Sequence, residues 1–144
     1  MLNLNFPQYT FKFREGKISL EIFCLSRRRW VPLTPEEWVR QHAIAFLHDH
    51  GGFPIALISA EYVWSSMGGR GRSDIVVFNN NAKVLGIVEC KAPSVQLQPT
   101  NSQQLMAYQH FANPQWVILS NGLQHLVWDV EQQKLMEDWP SAGK

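Results

Sequence analysis

An α/β fold of the α+β type is predicted: a central mixed sheet flanked by helices, with a β-hairpin at the N-terminus. Two observations carry this. Strand-like runs stand on both sides of two helix-like stretches, and the order is hairpin, helix, three strands, helix, two strands. Such an order packs most economically as one sheet with helices laid against it. The chain has 144 residues, 45% of them hydrophobic, enough for a real core in one domain. The expected division is a single domain over residues 1–144, in which 1–31 form the N-terminal hairpin extension and 32–139 the core.

Residues from about Tyr9 to Val31 alternate in two arms around the turn Glu15-Gly16-Lys17, so they read as a hairpin that extends the sheet or forms an accessory flap. Ser26 to Arg29 close it as a basic loop. A helix follows: Thr34 is the N-cap, Pro35 fits the first helical position, and Glu37 completes a capping box. Val39, Ala43, Phe46 and Leu47 form its apolar stripe, and Gly51-Gly52 ends it. Ile55 to Val63 reads as a strand, and the glycine-rich stretch Ser65 to Arg72 as a flexible loop. Strands about Asp74–Phe78 and Lys83–Cys90 are joined by an asparagine turn. Thr100 or Asn101 caps a second helix running to about Phe111, which Pro114 forbids from continuing. Two more strands flank the turn pair Asn121-Gly122, and Lys134 to Trp139 supplies a last edge strand.

The formal net charge is only +1, which is not that of a chain whose main task is to hold nucleic acid. The positive charge is local instead. Arg27, Arg28 and Arg29 form one cluster, and Arg70 and Arg72 flank Gly71 just before Asp74. A modest DNA footprint, or a larger assembly that supplies the grip, is compatible with that distribution. No apolar stretch is long enough for a membrane span, and the first residues carry neither a basic leader nor a long apolar segment. Cys24 and Cys90 read as buried thiols, so a cytoplasmic location is expected.

The chemistry concentrates in two apolar runs. Asp74 opens Asp74-Ile-Val-Val-Phe, and Glu89-Cys-Lys91 ends the next. If the runs pair, Asp74 and Glu89 come to one divalent ion, with Lys91 on the face of Glu89 and Cys90 turned the other way. Phosphodiester hydrolysis needs an activated water and neutralisation of the phosphoryl charge, and a carboxylate-held metal supplies both. Magnesium takes hard oxygen ligands, commonly one or two carboxylates, with the backbone carbonyl of Cys90 as a further donor. Lys91 would orient or deprotonate the water, or stabilise charge. Charged residues at strand ends are also common with no role beyond meeting solvent.

Gln104 and Tyr108 lie one helical turn apart and can position phosphate, or simply cover the polar side of a helix. Glu37 has a structural explanation as a capping-box residue, and Gln41 lies one turn beyond it. Glu61 sits in an apolar strand, where it completes the acid cluster or pairs with an arginine such as Arg72. The histidines form no ligand cluster, and Gly68-Gly-Arg-Gly71 lacks the Lys-Ser/Thr pair of a phosphate loop.

The order Glu37, Asp74, Glu89-x-Lys91, Gln104-x-x-x-Tyr108 resembles the PD-(D/E)xK nuclease superfamily. More narrowly it resembles the N-terminal nuclease domain of the type I restriction enzyme R subunit and its small stand-alone relatives, through Leu33-Thr-Pro-Glu-Glu-Trp-Val-Arg-Gln41, Arg72-Ser-Asp-Ile-Val-Val77, Ile87-Val-Glu-Cys-Lys-Ala-Pro93 and Ser120-Asn-Gly-Leu-Gln-His125. The resemblance covers about Pro32 to Asp129. It implies a restriction-endonuclease-like sheet, Mg2+ (with Mn2+ as a substitute) on Asp74 and Glu89, Lys91 as the catalytic lysine and Glu37 as a supporting acid. It also implies Gln104 and Tyr108 as site-organising residues and DNA as the partner. Ser73 stands where the motif has proline, and no helicase motor follows in this sequence. The expectation is therefore Mg2+-dependent DNA cleavage, with other restriction or defence subunits or a homodimer as partners. The alternatives are a catalytically weak or inactive DNA-binding module and a protein-interaction module of the same fold.

Overall fold

The structure, a computed structural model, describes residues 1–66, 69–98 and 112–143. The expected second helix, with Gln104 and Tyr108, lies outside the described residues.

The N-terminal part forms a small sheet of its own rather than a hairpin extending the main one. Strands β1 (Phe13–Glu15), β2 (Leu20–Cys24) and β3 (Arg29–Pro32) pair antiparallel in a 3-stranded sheet. Alternation decides its faces: Ile22, Cys24 and Val31 are buried, while Phe23 and Trp30 pair on the other side. The segment before β1 lies along the next helix. Trp38 Nε1 donates to the Leu2 carbonyl at 2.9 Å, Asn5 N donates to Gly122 O at 2.7 Å, and the Phe6 ring packs among His42, Phe46, His125 and Trp139.

Helix α1 (Pro35–Asp49) starts as its sequence predicts: Thr34 is the N-cap, and its hydroxyl accepts from Glu37 N at 3.0 Å. Val39, Ala43, Ile44 and Leu47 are buried, and Gly52 takes φ +76 just past the helix end. The second sheet has 6 strands in sequence order. These are β4 (Ile58–Ser66), β5 (Gly69–Phe78), β6 (Val84–Cys90), β7 (Trp116–Ser120), β8 (His125–Asp129) and β9 (Lys134–Met136). All neighbours are antiparallel except β6 and β7, which run parallel, so the sheet is mixed as expected. The predicted flexible loop over Ser65–Arg72 is largely strand: β4 and β5 continue into a long hairpin arm in which Arg72 pairs with Val63. Composition misleads there because glycines tolerate extended pairing as well as turns.

Both faces of the central strands are covered, which is why β6 and β7 read as nearly unbroken apolar runs. Ile75, Val77, Val88 and Ile118 pack with α1, whereas Val76, Ile87, Val117 and Leu119 form a second cluster on the other face. Gly86 is required where β6 passes Trp116: a Cβ there would lie 2.2 Å from the Trp116 indole.

The strand faces change at one residue. Ala60 packs with the α1 cluster and Tyr62 with the opposite one, although residues two apart in a strand normally share a face. Between them Glu61 takes φ +54, a left-handed conformation costly for a non-glycine residue.

Two histidines, His42 buried and His125 half-buried, report on the N-terminal segment. His42 Nδ1 donates to the Trp38 carbonyl at 2.8 Å, and His125 Nε2 donates to the Asn5 carbonyl at 3.0 Å. Burial lowers both pKa values below the usual 6.5, against the raising effect of those carbonyls. The unfolded chain therefore takes up protons before the folded one does. Their contribution to stability is complete above about pH 6.5 and is lost as pH falls through the depressed folded values. Urea unfolding should give a lower midpoint at about pH 5.5 than at about pH 7.5. Equal midpoints would contradict the neutral burial of both rings.

Candidate functional site

The site is built where the N-terminus of α1, the middle of β4, the start of the apolar part of β5 and the end of β6 meet. One step beyond the last paired residues, Ile75 and Val88, β5 and β6 bring Asp74 and Glu89 level. Asp74 Oδ2 accepts from the Cys90 amide at 2.7 Å, which ties the two strand ends together. Glu89 is half-buried, and Cys90 is buried with its thiol pushed well up by burial and by the neighbouring Asp74 carboxylate. Lys91 is exposed immediately after β6, and its amide donates to Ser120 O at 2.8 Å.

Arg40 joins the elements. Its Nη2 donates to Asp74 Oδ1 at 3.2 Å and to Glu36 Oε1 at 3.2 Å, and its Nη1 to Glu37 Oε1 at 2.8 Å and to Glu61 Oε1 at 3.4 Å. The Arg40 side chain is only 5% exposed, so one guanidinium held out of bulk water is shared by carboxylates drawn from three elements. Burial opposes the Arg40 charge, yet Glu37 and Asp74 hold its pKa above the ordinary value. Arg27, from the turn before β3, supplies a second guanidinium, with Nη2 at 2.7 Å from Glu37 Oε1 and Nη1 at 3.4 Å from Glu61 Oε2.

Glu37 thus has a structural duty different from the expected one. Its amide serves the cap, but its carboxylate is held between Arg27, Arg40 and Gln41 Nε2 (2.9 Å) instead of returning to the N-cap. Gln41 Oε1 accepts from Leu25 N at 3.2 Å, fastening the small sheet to the helix. The arginines that meet Glu61 are Arg27 and Arg40; Arg72 is exposed on the hairpin arm. Arg70 lies on the same arm, paired with Ser65.

Glu36 is the carboxylate on the open side. Burial and the Asp74 carboxylate raise its pKa, while Arg40 and Lys91 pull it down, so it shares one electrostatic field with Asp74 and Lys91. The sequence reading missed Arg40 and underrated Arg27 and Glu36. A signal existed: Arg40 falls three and four residues after Glu37 and Glu36, inside the buried stretch of the helix.

Beside this network opens a cleft of about 650 Å3, whose lining includes Glu36, Glu37, Arg40 and Glu61 together with Arg29 and Trp30. Among the described residues no group of three or more His, Cys, Asp or Glu side chains is disposed to hold a metal ion. No helix among them is long and apolar enough to cross a membrane.

A buried partner removed from an ion-pair network is costly, and an exposed one is not. Glu37→Gln should lower the unfolding free energy by about 3 kcal/mol, and Glu36→Gln by less than about 1 kcal/mol, in denaturant titrations. Equal losses would show that the two acids are not divided in this way.

Comparison with known proteins gives the family of the chain and a fold like its own. The family model described as type I restriction enzyme R protein N terminus (HSDR_N) matches residues 35–139. Among solved structures, a fragment described as an HsdR subunit of a type I restriction enzyme from Vibrio vulnificus YJ016 superposes with a TM-score of 0.59 at 17% identity. That match covers 76% of this chain and 24% of the other, so the chain spans about a quarter of its length. A nuclease of the DUF820 group from Anabaena variabilis ATCC 29413 gives a TM-score of 0.41 at 12% identity, covering 70% and 73% of the two chains. No curated protein matches.

Proposed function

The chain belongs to the type I restriction enzyme R protein N-terminal family, within the PD-(D/E)xK-related nucleases, and from that premise we propose that it is a DNA-binding module whose own phosphodiester hydrolysis is weak or silent. The observation that carries this reading is the Arg40 guanidinium on Asp74. A carboxylate at a hydrolytic centre gathers a divalent cation, and here a fixed organic cation already donates to it. Hydrolysis then depends on a partner, such as another restriction or defence subunit or a second copy of the chain, that rearranges the cluster.

A second reading, Mg2+-dependent hydrolysis by the lone chain, is favoured by the level placement of Asp74 and Glu89. The donors are of the right chemistry, since two carboxylates and a backbone carbonyl are hard oxygen ligands. Asp74, Glu89 and the Cys90 carbonyl would hold Mg2+ or Mn2+, and the ion would supply an activated water and neutralise phosphoryl charge. Lys91 would hold charge beside that water, with Glu37 and Gln41 supporting from behind. Gln104, Tyr108, Arg70 and Arg72 would position the DNA backbone.

Purified chain should bind DNA in a salt-dependent way and leave supercoiled, linear and branched DNA uncut with Mg2+ or Mn2+ over hours. Rapid metal-dependent cleavage, abolished by Asp74→Asn and by Lys91→Ala, would overturn the proposal in favour of the second reading. Cleavage indifferent to both variants would sink both assignments.

The role given to Arg40 has its own check. Arg40→Gln should cost about 3 kcal/mol by leaving carboxylates uncompensated. Millimolar Mg2+ should then raise the Tm of the variant more than that of the parent. Equal responses would mean that Arg40 does not occupy the place of a cation.

A further inference from the structure

We propose that the outer face of the N-terminal sheet is a platform for single-stranded DNA, which leads the strand to the acid cluster. The inference rests on the DNA reading above and adds to it the form of DNA and the surface that takes it.

Charge is the first observation. Residues 1–32 carry six Lys or Arg against two Glu, a surplus of four, whereas the remaining residues carry seven against ten. The near-neutral total thus hides a basic small sheet set on an acidic main body. Arg28 is exposed at the β2–β3 turn, Arg29 is exposed at the start of β3 on the edge of the sheet, and Lys12 and Lys17 are exposed beside β1. These cations suit a phosphate chain, which is recognised by charge without regard to sequence.

Aromatic rings on the outer face, next to these cations, are the second. Phe23 and Trp30 pair across β2 and β3 with centroids 5.4 Å apart, on the face that points away from the core. The Arg14 guanidinium lies 4.7 Å over the Trp30 ring, and Lys12 Nζ lies 5.9 Å from the Phe23 centroid. Arg14 is steadied there by Glu21, 2.7 Å from its Nε. A base can stack on the outer plane of that guanidinium or take its place on the indole. Cations interleaved with half-exposed rings suit unpaired bases, because a duplex keeps its base faces inside the stack.

Position is the third. Arg29 and Trp30 also line the cleft walled by Glu36, Glu37, Arg40 and Glu61, so a strand lying on the platform passes directly beside Asp74's ion-pair network. The platform supplies the grip that the acidic main body lacks.

The test is fluorescence anisotropy of the full chain with a labelled oligothymidylate of about 12 nucleotides, a length within the span of single-strand domains, against a duplex of equal length. The oligothymidylate should bind more tightly than the duplex and quench tryptophan emission. Arg28→Glu with Arg29→Glu should weaken it about tenfold or more and flatten the log–log salt slope by about 1.4. Trp30→Leu should weaken it about fivefold or more. Lys134→Glu, a cation on the distant edge strand β9, should leave it unchanged. Circular dichroism melts establish that each variant is folded, and the double arginine variant alters only exposed side chains.

Platform variants that bind like the parent would overturn the inference and leave the DNA reading standing. Preference for duplex, or tenfold tighter binding of oligouridylate, would also overturn it. A parent chain that binds no DNA of either form would sink the DNA reading itself.

Discussion

Two guanidinium groups, Arg27 and Arg40, set against Glu36, Glu37, Glu61 and Asp74, fix how helix α1 sits on the sheet. Apolar packing between α1 and β5 or β6 is non-directional and tolerates a shift along the helix axis. Charge-assisted hydrogen bonds to named oxygens do not. Arg40 reaches β4 and β5 at once, and Arg27 brings the small sheet to the same point. The register of helix, small sheet and main sheet is thereby set by one charge balance.

That balance also bears on chemistry. Neutralisation by arginine is permanent, since the group does not lose its proton in proteins, whereas neutralisation by a divalent ion is reversible and leaves open positions for water and phosphate. On the reading proposed above, the same carboxylates would serve structure under the first regime and hydrolysis under the second. A partner that draws Arg40 aside would change the regime without moving the backbone. The family membership of the chain is secure on residues 35–139, and the coarse fold agrees with the Vibrio fragment. Which regime operates is decided by a few side chains that the fold alone does not dictate.

Much of the frame was legible in the residues. Thr34-Pro35 announced the helix start, the apolar runs announced β5 to β8, and Asn121-Gly122 marked the turn between β7 and β8. The level placement of Asp74 and Glu89 was expected on the condition that the two runs pair, and they do. What escaped was set by long-range contacts. Nothing near Glu37 says that its carboxylate meets Arg27 rather than its own cap. Glycines at 69 and 71 suggest a loop, and only pairing with Ser66 and Trp64 makes them strand. The small sheet gained a third strand because Arg29 to Pro32 found β2 as an edge, which local alternation does not reveal.

The backbone inversion at Glu61 has a mechanical consequence. The residue that flips the hairpin over is also the one whose carboxylate meets Arg27 and Arg40. The hairpin's outer half therefore cannot pivot about that point without loosening a grip at the helix N-terminus. Anything that pulls on the arm beyond Glu61 tugs, through one glutamate, on the counter-charges of Asp74.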